Sequence, residues 1–280
     1  MFKTINLKKK RLLGLKEIIV TIIAVALTTL GIKASDGYFG NGKDVGTGPC
    51  SADMVFITSP TGGFCIDKYE ASVGSGCQNS DPANQQDTRI NLNYKDCAAV
   101  SEVDKQPWRN ISQNQAVMAC AKAGKRLPTS KEWFQASLGT PDLDSGWQGD
   151  DCNVKKNWPD SPGPTGSGKN CVSSSGVYDM IGNVWEWIDG SIIDGKIGDK
   201  EMPESGYIAG VDADSFPVKT DRENKDPNYY NDYFWIKKND VRTIARGGYW
   251  DNGEDAGQYA IYAVPDVSYA GPGVGFRCVR

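Results

Sequence analysis

Short apolar segments broken by turn-forming residues predict a β-hairpin near the start of the domain. Residues 54–58 (MVFIT) and 64–69 (FCIDKY) are rich in β-branched and aromatic side chains, and residues 59–63 (SPTGG) between them have the composition of a turn. Two more strands are predicted at 241–245 (VRTIA) and 275–280 (GFRCVR). We expect these short strands to pair in antiparallel fashion.

Two helices are predicted between these strands. Ser112 and Gln115 form a capping-box pattern, and the apolar stripe behind them runs to Gly124. Thr129 and Glu132 form a second capping-box pattern at the start of the next helix. Both helices are short, because a glycine or a loop-rich stretch follows each of them.

Three long polar stretches separate these elements and are predicted as loops. They are residues 74–100, 139–176 and 189–240, rich in Gly, Ser, Pro, Asp and Asn. Short strands, two short helices and long loops together indicate an α+β fold rather than a repeated βαβ unit.

The first 34 residues predict export. A basic stretch, 8–11, precedes an uncharged run, 18–32, which is shorter than the ~20 residues of a spanning helix and matches a secretory signal peptide. A retained membrane or pilin-like anchor stays open as an alternative, because Glu17 precedes the apolar run. Residues 35–50 follow as a Gly-rich linker, and residues 51–280 form the domain.

Charge and histidine content exclude several classes of partner and of chemistry. The chain has 31 basic and 35 acidic residues, and removing residues 1–34 leaves 24 and 34, a net charge of −10. Such a surface disfavours nucleic acid and anionic membranes as partners. The chain has no histidine, which excludes His-dependent nucleophiles and His-ligated zinc.

The eight cysteines predict a disulfide framework. Their number is even and no CxxC pair occurs, which in an exported chain favours disulfides over a metal cluster. Cys152 and Cys171 bracket one long loop and are expected to pair. Spacing leaves the other pairings open, including those among Cys50, Cys65, Cys77 and Cys97.

Four segments, in order, resemble the formylglycine-generating-enzyme branch of the C-type lectin fold. They are FCIDKYE (64–70), GKRLPT (124–129) with Glu132 and Trp133, GNVWEW (182–187), and RGG (246–248) with GFR (275–277). They span residues 64–280. The resemblance implies a C-type-lectin-like fold and a disulfide between Cys120 and Cys278.

The same resemblance implies a structural calcium ion at residues 179–186. Carried over, Asp179 and Glu186 provide carboxylate oxygens, and Gly182 and Val184 provide backbone carbonyls, which suits a hard cation. The alternative is that the two carboxylates only cap the loop by accepting hydrogen bonds from backbone N–H groups.

The residues disfavour the family's catalytic activities. The oxygen-dependent enzymes use two copper-binding cysteines between the RGG strand and the last strand, but residues 247–276 contain no cysteine. The related iron sulfoxide synthases use histidine ligands, which this chain lacks. The resemblance therefore implies a non-catalytic member.

The last segment, 246–280, also resembles the variable proteins of diversity-generating retroelements, in which error-prone copying at template adenines changes surface residues. The frame is Arg246-Gly-Gly-x-Trp250-x-Asn252-Gly253-x-x-Ala256-Gly257, closing with GFR. The positions between the frame residues that we predict to contact a ligand are Tyr249, Asp251, Asp255, Tyr259, Tyr262, Val264, Pro265, Asp266, Val267 and Tyr269.

The composition of these positions independently suits recognition. Tyrosine gives rigid amphipathic contact area and small polar residues adapt around it, as in antibody loops. Tyr262 and Tyr269 are expected anchors, and Tyr259 is either a third anchor or a core residue.

The sequence therefore predicts an exported, disulfide-linked protein that displays a diversified face to a protein or cell-surface ligand. The alternative is a fixed structural subunit, attached to a membrane, pilus or surface through the N-terminal segment.

Overall fold

The computed structural model describes residues 49–59 and 62–280, which contain three α-helices and thirteen β-strands. The helices are α1 (Gln85–Asn93), α2 (Gln113–Lys122) and α3 (Ser130–Ser137). The strands are β1 (Met54–Ile57), β2 (Phe64–Asp67), β3 (Ser72–Val73), β4 (Ala99–Val100), β5 (Trp185–Ile193), β6 (Lys196–Ile197), β7 (Lys200–Glu201), β8 (Gly206–Val211), β9 (Pro217–Asp221), β10 (Tyr233–Ile236), β11 (Val241–Arg246), β12 (Ile261–Ala263) and β13 (Val274–Phe276).

The predicted N-terminal segment, 1–34, and nearly all of the linker, 35–50, lie outside the described residues. Among the residues that are described, no helix is long and apolar enough to cross a membrane. The predicted hairpin is confirmed, since β1 and β2 pair in antiparallel register.

Both predicted helices begin at their capping boxes. The Ser112 hydroxyl accepts from the Gln115 N–H at the start of α2, and Gln115 Oε1 accepts in return from the Ser112 N–H. Thr129 and Glu132 make the same exchange at the start of α3. These reciprocal bonds satisfy N–H groups that have no partner within the helix.

The expectation of only two helices is wrong, because α1 lies within the predicted loop 74–100. Asn84 caps it by accepting from the Gln86 and Asp87 N–H groups. Of its nine residues only Thr88, Asn91 and Leu92 are buried. An apolar stripe this weak gives the sequence no helical period to detect.

A nine-stranded sheet forms the centre of the domain. Its order is β7-β6-β5-β11-β12-β10-β8-β9, and β13 pairs with β5 as well. The β10–β12 and β13–β5 pairs are parallel, so the prediction of antiparallel strands holds for only part of the sheet. Strands β6 to β10 lie within residues 189–240, so the prediction of a loop there is wrong. These strands have two to six residues each, and most of their positions are partly or fully exposed.

Residues of β5 contribute to two separate apolar cores. Trp185 and Trp187 pack with Phe276 and the α2 side chains, whereas Ile188 and Ile192 pack in the cluster that contains Trp133. The strand therefore has no solvent-facing side over its first four residues.

All eight cysteines form disulfides. The pairs are Cys120–Cys278, as the resemblance implies, Cys152–Cys171, as the loop position suggests, and Cys50–Cys65 and Cys77–Cys97, which the spacing left open. The Cys120–Cys278 bond closes the longest loop, with a sequence separation of 158.

Replacing Cys120 and Cys278 together by alanine is expected to lower the free energy of unfolding by about 5 kcal/mol, because this bond restricts the unfolded chain over the longest loop. The matched double replacement of Cys50 and Cys65, separated by 15 residues, is expected to cost about 3 kcal/mol. Urea unfolding without reductant measures both losses. An equal or larger loss in the second variant contradicts the chain-entropy explanation.

Candidate functional site

An aromatic cavity of about 300 Å³ lies where the C-terminal segment meets the sheet. None of its lining residues carries a formal charge, and six of the ten are Trp or Tyr. They are Trp185, Trp235, Tyr249, Trp250, Asn252, Tyr262, Tyr269, Pro272, Gly273 and Val274. The cavity is within the size range of small-ligand sites, at its lower end.

Strand pairing places the inner side chains of this cavity. Trp235 in β10 lies opposite Tyr262 in β12, and Tyr262 lies opposite Ala245 in β11. Because side chains alternate along a strand, Ile261 and Ala263 enter the core while Tyr262 faces the cavity. The Tyr262 ring stacks on Trp185, with centroids 5.5 Å apart.

A row of rings continues from the cavity across the sheet. Trp185 contacts Trp235 edge-on at 5.6 Å, and Trp235 contacts Tyr233 at 4.7 Å. Tyr233 in turn contacts Tyr207 of β8 at 5.1 Å. Sequence reasoning missed the members on β8 and β10, although alternation of aromatic residues at 233 and 235 was the available signal.

Loop bonds hold the outer wall of the cavity. Asn252 Oδ1 accepts from the Tyr249 N–H, and the Tyr249 ring packs edge-on against Trp250 at 4.9 Å. The Trp185 N–H donates to the Gly273 carbonyl, which fixes the loop before β13 to β5. The wall is therefore attached to the sheet by backbone bonds that do not depend on the tyrosine side chains.

Tyr262 and Tyr269 remain neutral hydrogen-bonding groups at physiological pH. Burial raises the pKa of Tyr262 and of Tyr269, and nearby tyrosines raise them further. Tyr269 is 38% exposed, so its ring is available at the cavity mouth. The cavity therefore offers apolar ring surface together with uncharged hydroxyl groups.

The structure places two other predicted contact residues away from the cavity. Tyr259 packs against Phe134 at 4.9 Å and against Tyr229 at 5.2 Å, within the second apolar cluster. Pro265 is buried, and its carbonyl accepts from the Thr243 N–H. Tyr259 is partly buried against that cluster and lies outside the cavity lining.

The remaining predicted positions lie on the surface outside the cavity lining. Asp251 forms an exposed ion pair with Lys156 at 2.8 Å. Asp266 is exposed and accepts from Ser268, and Val267 is 46% exposed. Asp255 and Val264 are partly exposed. Of the predicted set, the structure therefore brings Tyr249, Tyr262 and Tyr269 together.

The segment with the predicted calcium ligands surrounds an arginine. Glu186 Oε1 accepts from Arg277 Nη2 at 2.6 Å, and Oε2 accepts from Arg277 Nε and from Trp133 Nε1, both at 2.7 Å. Asp179 Oδ2 accepts from the Gly166 N–H, while its Oδ1 is buried without a hydrogen-bond partner. Glu186 fits a calcium ligand poorly, because both of its oxygens already bind cationic or indole donors.

The neutral members of the predicted calcium set have structural roles. Gly182 has φ of +76°, and a Cβ there would collide with the Asn153 carbonyl. The Val184 N–H donates to Glu70, a buried carboxylate that sequence reasoning missed. Within the described residues no group of three or more acidic or cysteine side chains is arranged to hold a metal. The calcium site stays a prediction.

Burial controls protonation in this carboxylate cluster. Desolvation raises the pKa of Asp179 to about 7, against the partial compensation of the Gly166 N–H and Arg277. Desolvation and the neighbouring Asp179 and Glu186 raise the pKa of Glu70 well above its ordinary value. One arginine therefore neutralises Glu186 while the other two acids favour their protonated forms.

Comparisons with known proteins complete the description. Residues 57–280 match the family model described as sulfatase-modifying factor enzyme 1-like domain. A 98-residue segment is 35% identical to the Bos taurus protein named "Inactive C-alpha-formylglycine-generating enzyme 2", covering 29% of this chain and 32% of that protein. The chain thus matches about a third of the length of this curated relative.

Two solved structures match most of this chain. The Major Tropism Determinant I1 variant matches with a TM-score of 0.46 and 15% identity, over 83% of this chain and 53% of that one. Treponema denticola variable protein 1 matches with a TM-score of 0.35 and 16% identity, over 82% of this chain and 99% of that one.

Asp179→Asn is expected to make stability less dependent on pH. The folded-state pKa of Asp179 is raised from 3.8 to about 7. Its contribution to the free energy of unfolding is therefore fully present below about pH 4 and is lost as pH rises through 7. The variant should therefore gain stability relative to wild type between pH 4 and 8, by on the order of 2–4 kcal/mol. Denaturant unfolding in EGTA measures the free energy of unfolding of both proteins. If the variant and the wild type differ by the same amount at every pH in that range, burial does not raise the pKa of Asp179.

Proposed function

Because the chain belongs to the family of sulfatase-modifying factor enzyme 1-like domains and has its C-type-lectin-like fold, we propose that it is a non-catalytic member that binds a ligand at the aromatic cavity. The observation that carries the proposal is the convergence of Tyr249, Tyr262 and Tyr269 on Trp185 and Trp235. Rigid aromatic groups with polar tips, gathered in one concave site, are typical of recognition surfaces.

The available side chains support a non-catalytic role. Copper or iron chemistry of the family's kind needs thiolate or imidazole ligands. All eight cysteines are in disulfides and the chain has no histidine, so neither ligand type is present. The bovine relative is itself named inactive.

We further propose that the cavity-lining tyrosines vary between copies of the protein while the frame stays constant. Arg246 is fully buried and bonds Ser130, whereas Tyr269 is 38% exposed. Gly247 and Gly248 have φ values above 90°, and a Cβ at Gly247 would lie 2.8 Å from the Met180 carbonyl. Frame positions are thus fixed by packing, whereas Tyr249 and Tyr262 are only partly buried against the core and Tyr269 is exposed.

The disulfides support an extracellular location. Four disulfide bonds persist in oxidising compartments, such as the cell exterior or the periplasm. Export through residues 1–34, with or without retention as a membrane or pilus anchor, brings the cavity to a protein or cell-surface ligand. The alternative is a fixed-sequence structural subunit, in which the same cavity receives a neighbouring subunit.

Replacing Tyr249, Tyr262 and Tyr269 together by serine is expected to abolish ligand recognition while the protein still folds. Binding of the labelled protein to arrays of cell-surface glycans and peptides measures recognition, and thermal unfolding verifies the fold. The matched control is Tyr94→Ser, because Tyr94 is 48% exposed and lies outside the cavity. Array signals that survive in the triple variant would place the binding site elsewhere.

A further inference from the structure

Two buried aspartates flank the C-terminal segment at Gly257, apart from the aromatic cavity and from the Arg277 cluster. Asp232 Oδ1 and Asp142 Oδ2 both lie within 2.5 Å of the position that a Cβ at Gly257 would take. The two oxygens are therefore less than 5 Å apart, which is twice that distance. The two carboxylates face each other across a glycine that has no side chain to keep them apart.

Three side-chain oxygens of Asp142, Asp232 and Gln258 lack hydrogen-bond partners. Asp232 is 0% exposed and Gln258 is 5% exposed. Asp232 Oδ1, Gln258 Oε1 and Asp142 Oδ1 are each buried without a hydrogen-bond donor. Asp142 is partly exposed as a residue, although this oxygen is not. Buried carboxylate and amide oxygens left without donors are costly unless a cation or proton is shared between them.

No side-chain cation in the described residues pairs directly with either aspartate. Arg246 is near enough to Asp232 to influence it, but its Nη groups donate to Ser130, Ser215 and the Gln258 carbonyl. The other charged neighbour, Asp144, adds negative charge beside Asp142. The local field is therefore dominated by acids.

We propose that a divalent cation of the calcium type binds between Asp142 and Asp232, with Gln258 Oε1 as an additional oxygen ligand. Carboxylate, amide and backbone oxygens completed by water are the usual calcium ligands. With two carboxylates the site belongs to the weak class of extracellular modules, with Kd of about 0.1–1 mM. It differs in every residue from the calcium set predicted at 179–186.

The site would also stabilise the base of the C-terminal segment. The Gln258 N–H donates to Asp142 Oδ2 at 3.0 Å, and the Tyr259 N–H donates to Asp232 Oδ2 at 2.7 Å. A cation held by the remaining oxygens neutralises both acids without displacing these bonds. The backbone of residues 257–259 is then held by Asp142 on one side and by Asp232 on the other.

Burial raises the pKa of Asp142 to about 7 and the neighbouring Asp144 adds to that rise. Burial and the neighbouring Asp142 raise the pKa of Asp232 well above its ordinary value. Both shifts have the direction expected for buried carboxylates that lie beside other acids.

Thermal unfolding at about pH 8 with about 10 mM CaCl₂, compared with EGTA at matched ionic strength, tests the site. We expect CaCl₂ to raise the Tm of the wild-type protein by about 3–8 °C. Asp142→Asn and Asp232→Asn should show no calcium shift. Both should fold, because removing one charge relieves repulsion, and their Tm in EGTA should equal or exceed that of wild type.

Asp179→Asn is the matched control and should keep the full calcium shift. The proposal is overturned if the wild-type Tm does not respond to calcium, or if Asp142→Asn responds like the wild type. It is also overturned if Asp179→Asn loses the shift, since that result places the metal in the 179–186 segment.

Discussion

The buried ion pair between Glu186 and Arg277 is the interaction on which the rest of the structure depends. Both side chains are essentially inaccessible, and the guanidinium donates two bonds, of 2.6 and 2.7 Å, to the carboxylate. Removing two charges from water is expensive, and only such complete pairing offsets it. Arg277 also donates to the Asp67 and Tyr178 carbonyls, and Trp133 donates to Glu186. The ion pair thus connects β2, β5, α3 and the loop before β5.

This constraint also determines the position of the cavity. Glu186 must face Arg277, so strand alternation turns Trp185 and Trp187 to the opposite side of β5. Trp185 then forms the inner wall against Tyr262 and Trp235, while Trp187 closes the core behind it. The inner wall consists of strand residues, and the outer wall consists of loop residues such as Tyr249. The sheet therefore holds one side of the cavity in place while loops form the other side.

Local signals in the sequence were sufficient for the elements that local physics determines. Capping boxes at Ser112 and Thr129 located two helices, and turn residues located the first hairpin. Helix α1 has too weak an apolar stripe to be predicted, and the strands β6–β10 are short and mostly exposed, although the aromatic alternation at 233 and 235 was a usable signal for β10. Tyr262 was anticipated but its contact with Trp235 was not, since their proximity arises from a parallel pairing between separate strands. Likewise, no pattern in the sequence distinguishes Tyr259, which packs away from the cavity, from Tyr269, which lines it.

The most direct test of the central claim is to sequence the DNA next to the gene, searching for a near-copy of its end beside a reverse transcriptase gene. The account predicts such a copy, with mismatches at adenines in the codons for Tyr249, Tyr262 and Tyr269. It predicts none in the codons for the buried Arg246 and Arg277. A copy whose mismatches fall on those buried frame codons, or the absence of any copy, would contradict a diversified cavity and favour the fixed structural subunit.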